Sequence, residues 1–146
     1  PFTGYNMADY FSHWLELGEE VGAKAAAAGN NLPKIYNVNW FRRDAEGNFV
    51  WPGFGQNMRV LEWIINRCEG RANAVETPIG LVPTYADLNW TGSDFTQEQF
   101  DLVTTQDKSQ WVKEIESHTE LFNKLGDRLP KALKTRQAEL LKAVQA

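Results

Sequence analysis

Met7, Tyr10, Phe11, Trp14 and Leu15 recur at the spacing that puts side chains on one face of a helix. The pattern predicts an amphipathic helix ending near Leu17, with Asn6 as N-cap and Gly18 as its stop. Asp9 falls in the first turn, where a carboxylate suits the helix dipole. The aromatic face is broad and has to bury against a neighbour. Residues 22–31, "GAKAAAAGNN", carry no side chain able to anchor them and read as a variable surface loop, with the alanine run permitting a short extension of helix.

The pattern then turns β-like. "IYNVNWF" (Ile35 to Phe41) and "NFVW" (Asn48 to Trp51) flank "RRDAEG", in which Asp44 opens a turn and Gly47 is free to take positive φ. This predicts a β-hairpin. With a turn over Asp44 to Gly47, Trp40 faces Trp51 and Phe41 faces Val50, which separates Phe41 and Phe49 onto opposite faces. A bulge at the glycine or a longer loop would realign them. Pro52 and Gly53 end the second strand, Gly55 loosens the backbone, and a helix begins near Asn57. Val60, Leu61, Ile64, Ile65 and Cys68 form its expected buried stripe, and Gly70 closes it.

"TPIGLVP" (Thr77 to Pro83) reads as a short strand or extended crossing, and residues 93–146 as a helical tail. Ser93 or Asp94 caps a short helix through Phe100. Trp111, Ile115, His118, Phe122 and Leu125 mark the seam of a longer one. Gly126 and Pro130 break it, with Pro130 well placed at the first turn of a last helix that carries Leu133, Leu140, Leu141 and Val144 on its apolar side. The expected class is α+β: helix, β-hairpin, helix, then the tail, with no internal repeat.

At 146 residues the chain is one domain's worth, long enough to bury a core. Its net charge of −4 argues against a nucleic-acid or anionic-membrane surface. The longest apolar runs fall short of a membrane span, and nothing resembles a signal peptide. The single cysteine, Cys68, forms no internal disulfide and fits a reducing, cytoplasmic setting.

Little in the chain promises chemistry of its own. His13 and His118 stand alone on their helices, without His or Cys at ligand spacing. Cys68 lies on the expected apolar stripe, and no phosphate loop of the form G-x-x-x-x-G-K-[ST] occurs. No catalytic residue and no metal ligand is expected here. The unusual stretch is "WFRRDAEGNFVWPGFGQN", Trp40 to Asn57, with five rings threaded through turn residues. Trp40, Trp51 and Trp63 suit a core. Phe49 does so less well. Phe54 stands between Gly53 and Gly55, which offer it no cover.

A ring on bare backbone is suited to stacking on a purine, worth roughly 1–3 kcal/mol whichever base is present. Choosing a base needs hydrogen bonds at its edge, and the Asn57 amide carries a donor and an acceptor that match guanine O6 and N1–H. Adenine presents the reverse polarity. Alternatively Asn57 is the N-cap of the following helix. The competing functional classes are a non-catalytic module gripping a peptide or sugar with its aromatics, and a purely structural cluster with every ring buried.

"LPKIYNVNWFRRDAEGNFVWPGFGQNMRVLEWIINR", with the opening "PFTGYNMADYFSHWL" and the later "TPIGLVP", resembles the GTP-dependent phosphoenolpyruvate carboxykinases. The similarity is strong over about the first half of the chain and weaker but collinear through the tail. It implies that residues 1–146 are the C-terminal part of the nucleotide-binding lobe of a longer mixed α/β enzyme, monomeric when intact. It also implies that Phe41 and Phe54 sandwich the guanine of GTP or GDP, Phe49 completes the pocket, and Asn57 reads the base edge, with Phe54-Gly55-Gln56-Asn57 as the nucleotide-contacting turn. By the same resemblance, the phosphate loop, the ligands for Mn2+ and for nucleotide-bound Mg2+, and the oxaloacetate-binding arginines lie upstream. Gln56 stands where the family usually has Glu, and Met58 where it has Ser. Met7 and Ala8 occupy the places of an aromatic or Met and then Gly.

Overall fold

The computed structural model describes residues 3–28 and 32–146. The chain forms two compact units, Pro1–Pro33 with Asp107–Ala146, and Lys34–Gln106. Its class is α+β, as expected: five α-helices and one two-stranded antiparallel sheet among the described residues.

In the first unit, helix α1 spans Met7–Ala27. The Asn6 Oδ1 accepts from the Ala8 N–H at 2.8 Å, so the expected cap forms. Gly18 does not stop the helix. An internal glycine costs only about 1 kcal/mol relative to alanine, and the alanine-rich stretch beyond it favours helix strongly. The segment expected to be a loop over 22–31 is therefore helical to Ala27; residues 29–31 lie outside the described residues. Tyr10 and Phe11 are half-buried, but Trp14 remains half-exposed beside the Tyr10 ring, so the aromatic face is only partly covered.

Helices α4 (Lys108–Leu125) and α5 (Lys131–Gln145) pack together as the apolar seams predict. Ile115 is fully buried, Val144 and Leu129 nearly so, and Trp111, His118, Phe122, Leu133, Leu140 and Leu141 are half-buried. Gln137 donates from Nε2 to the Ile115 carbonyl at 2.8 Å, tying the helices polar-to-backbone. Pro130 sits at the N-cap of α5, one position before its first turn.

Asp107 caps α4: its carboxylate accepts from the Gln110 N–H at 2.9 Å and from the Ser109 hydroxyl at 2.6 Å. The Ser109 bond, then the Gln110 amide, hold this carboxyl below the usual carboxylate range. A folded-state pKa below the unfolded one, about 3.9, means the cap's contribution is complete above that value and is lost as pH falls through the depressed folded value. We expect the protection of the Gln110 amide, its exchange rate relative to that of the unstructured chain at the same pH, to fall as pH is lowered below about 4, and Asp107→Asn to flatten that dependence. An identical pH profile in the variant would refute the cap's charge as the cause.

The second unit is built on aromatics. Trp51, Trp63, Leu88, Phe95 and Phe100 form its buried core, with Trp40, Tyr36, Tyr85 and Trp90 packed around them. The tryptophans expected to be core residues are thus core residues. Helix α2 (Asn57–Cys68) buries Trp63 and half-buries Val60 and Ile64. Leu61, Ile65 and Cys68, placed on the buried stripe by sequence, are exposed, because the wide indole of Trp63 rotates the core-facing side of α2 toward positions 60, 63, 64 and 67.

Strands β1 (Val75–Thr77) and β2 (Gly80–Val82) pair with Thr77 opposite Gly80, so "TPIGLVP" holds the tight turn of a hairpin and not a lone strand. Helix α3 (Gln97–Thr104) is capped by Thr96, with Gln99 returning the bond to the Thr96 N–H, and not by Ser93 or Asp94. The Thr96 hydroxyl and the Gln99 side chain thereby satisfy two orphan amides reciprocally.

Among the described residues no helix is long and apolar enough to cross a membrane.

Candidate functional site: an exposed aromatic turn beside an anchored amide

The hairpin expected over Ile35 to Trp51 is reduced to its turn. A single bridge pairs Arg43 with Phe49, and no regular ladder continues on either side. The Asn39 side chain accepts from the Phe41 N–H at 2.9 Å, a local turn that competes with strand pairing just where the ladder would extend. The turn itself is as expected. The Gly47 N–H donates to the Asp44 carbonyl, the Asp44 carboxylate accepts from the Asn48 N–H at 2.8 Å, and Gly47 has φ +86°.

The register is shifted by one residue from the expected one. The Asp44 N–H donates to the Asn48 carbonyl and the Val50 N–H to the Arg42 carbonyl, so Arg43 stands opposite Phe49 across a longer loop. Because strand side chains alternate, this one-residue change returns Phe41 and Phe49 to the same side. Their rings meet edge to face at 6.0 Å between centroids. The Arg43 guanidinium lies 4.0 Å from the Phe49 ring centre and donates to the Gly47 carbonyl, covering one face of that ring.

After Trp51 the chain turns through Pro52 and Gly53, whose φ of +117° excludes a side chain at that position. A 3-10 turn, Phe54–Gln56, then leads directly into α2. Phe54 is 91 % exposed, Phe41 69 % and Phe49 52 %. Within this chain none of the three rings is buried, unlike what the purely structural alternative, with every ring buried, expects. Phe54 touches no other ring among the described residues. Gly55 is the middle of the turn, and a Cβ there would meet nothing. Shallow hollows of the surface lie elsewhere, beside Val112 and Lys113 in the first unit and beside Met58 and Glu62 in the second.

Asn57 is not the N-cap of α2. Gln56 holds that position, and Asn57 has helical dihedrals, φ −61° and ψ −33°. The Asn57 Oδ1 instead accepts from the Trp51 indole N–H at 2.8 Å. Its Nδ2 donates to nothing among the described residues. No buried side-chain nitrogen or oxygen there lacks a partner, so Nδ2 reaches solvent.

Gln56 Oε1 accepts from Arg59 Nε, and Arg59 reaches on to the Asn89 and Thr91 carbonyls, pinning the turn to the 89–91 loop. Arg42 is similarly spent on the Val103 and Thr105 carbonyls. The three arginines beside the turn are braces for backbone. None of these contacts follows from periodicity: each joins residues by the path of a loop, and no pattern of spacing announces that path. No group of three or more His, Cys, Asp or Glu side chains among the described residues converges to hold a metal ion.

The family described as phosphoenolpyruvate carboxykinase C-terminal P-loop domain matches residues 1–143. The chain belongs to that family. Three relatives named phosphoenolpyruvate carboxykinase (GTP) illustrate the similarity. The Treponema pallidum (strain Nichols) protein is 50 % identical over 135 residues, covering 92 % of this chain and 21 % of its own length. That of Paenarthrobacter aurescens is 47 % identical over 135 residues, with the same coverage. That of Anaeromyxobacter sp. (strain K) is 42 % identical over all 146 residues, 23 % of its own length. The chain thus spans about a fifth of the length of the curated relatives it matches. No phosphate loop of the form G-x-x-x-x-G-K-[ST] occurs in this sequence.

Proposed function

We propose that residues 1–146 are the C-terminal guanine-recognition segment of a GTP-dependent phosphoenolpyruvate carboxykinase. The intact enzyme converts oxaloacetate and GTP to phosphoenolpyruvate, CO2 and GDP. In that reaction oxaloacetate loses CO2, and the resulting enolate oxygen takes the γ-phosphoryl group as the bond to the β-phosphate oxygen breaks. Mn2+ and nucleotide-bound Mg2+ would offset charge on the transferring group; none of the described residues is assigned to them. The reading carries with it a cytoplasmic, monomeric enzyme whose remaining polypeptide supplies the reacting groups. This segment holds the base, and by holding it positions the phosphates.

The observation that carries the proposal is an open ring, Phe54, three residues before an amide whose oxygen is already anchored. Phe54 and Phe41 stack on the purine, Phe49 closes the edge of the slot, and the Gly55-Gln56 turn brings backbone close. Asn57 Nδ2 donates to guanine O6, while the second lone pair of Oδ1 accepts from N1–H. Adenine would set its amino group against Nδ2 and its N1 lone pair against Oδ1. A site that strands polar groups in this way discriminates strongly.

Titrating the intact enzyme with GDP and with ADP, followed by tryptophan emission, tests the assignment. We expect preference for GDP, and expect Asn57→Ala to weaken GDP about tenfold while leaving ADP within about twofold. Equal affinity for both nucleotides in the unaltered enzyme would reject base reading by Asn57. Indifference to both would leave the peptide- or sugar-binding alternative in its place.

A further inference from the structure

We propose that Trp51 is a positioning residue for base selection, its indole N–H fixing which end of the Asn57 amide faces the ligand. The inference rests on the guanine reading above and concerns how that site chooses. An asparagine amide is pseudo-symmetric: rotated by half a turn it exchanges donor for acceptor, and guanine preference becomes adenine preference. Something must hold it. The indole N–H is a donor only, so the amide atom it meets at 2.8 Å has to be the oxygen. Rotation would set the Nδ2 amino group against the indole N–H, leaving two donors facing one another at a partly buried contact.

The anchor is itself immobile. Trp51 is 6 % exposed and wedged among Trp40, Trp90 and Phe95, at centroid distances of 5.6, 6.3 and 5.6 Å. Its N–H direction is set by that packing. The Gly53 conformation and the 3-10 turn fold position 57 back over position 51, so a residue of the hydrophobic core dictates the polarity of the first turn of α2. Core packing thereby reaches the base edge through one hydrogen bond.

The test measures GDP and ADP affinities in the intact enzyme for Trp51→Phe, Asn57→Asp and the double variant, and for Asn57→Ala. Trp51→Phe keeps an aromatic ring and removes the N–H. It is expected to lower the ratio of ADP to GDP dissociation constants about tenfold, GDP weakening while ADP tightens as the amide turns over. Simple loosening of the core would weaken both nucleotides alike and leave the ratio unmoved. Asn57→Asp presents acceptors at both ends and has no orientation to lose, so adding Trp51→Phe to it should change the ratio by less than about twofold.

An unchanged ratio in Trp51→Phe, with selectivity abolished in Asn57→Ala, would overturn the positioning role and leave the guanine reading standing. Selectivity that survives Asn57→Ala would overturn both. Should Trp51→Phe fail to fold, indole 15N–1H spectra of the otherwise unaltered enzyme decide. Asn57→Ala must shift one indole resonance and speed its hydrogen exchange, and indole signals indifferent to Asn57→Ala would refute the anchor.

Discussion

Trp63→Ala is expected to cost the unit of residues 34–106 about 3–5 kcal/mol, a large part of the roughly 5–15 kcal/mol that a domain commands. The Trp63 side chain is 4 % exposed, meets the Tyr36 ring edge to face at 6.0 Å, and donates its indole N–H to the Asn73 carbonyl at 3.0 Å. Alanine would remove the ring that fastens α2 to the core and leave a cavity that the neighbouring rings, large and rigid, cannot collapse to fill. Trp63→Phe separates the two contributions: it keeps most of the packing and orphans the Asn73 carbonyl, at about 1–3 kcal/mol. Denaturant unfolding with hydrogen exchange of α2 amides provides the measurement. A midpoint unchanged by Trp63→Ala would mean that α2 is held by something other than this core.

The legible parts of the fold were those in which one local rule governs. The Asn6 cap, the Asp44–Gly47 turn and the seams of α4 and α5 each depend on side chains within a few positions, and each appears as expected. Gly18 was misread because a stop signal has to outweigh the alanine-rich sequence beyond it, and a single glycine does not. The stripe of α2 was misread because apolar spacing at Leu61, Ile65 and Cys68 fits a helix face as well as Trp63 does. The larger indole fixes which face turns inward.

The candidate site was legible as composition and illegible as geometry. Phe54 between two glycines announces an uncovered ring, and the ring is uncovered. Whether Phe41 and Phe49 share a face depends on one residue of loop length, a quantity that alternation along the strands leaves open. The Trp51–Asn57 bond crosses a proline, two glycines and a 3-10 turn. Sequence offered a role for each partner separately, Trp51 in the core and Asn57 at a ligand or a cap, and their union lies in the path of the loop between them.

Phe54→Ala is expected to weaken GDP and ADP alike in the intact enzyme, by about 1–3 kcal/mol or roughly five- to 150-fold. Stacking uses the π-face that every base possesses, so its loss lowers affinity without altering choice. The effect is thus the complement of Asn57→Ala, which alters choice with little effect on ADP. Because the ring is 91 % exposed and Gly53 and Gly55 flank it without contact, its removal should leave the unfolding midpoint within about 0.5 kcal/mol of the starting protein. Phe54→Trp, with a wider ring on the same open backbone, should retain or improve both affinities. Two results would each sink the stacking role: unchanged binding of both nucleotides in Phe54→Ala, or a loss confined to GDP. The second would mean that the ring acts by orienting Asn57 and not by covering the base. Affinity and selectivity are therefore expected to separate onto side chains three positions apart, one held open by glycines and the other held in line by a buried indole.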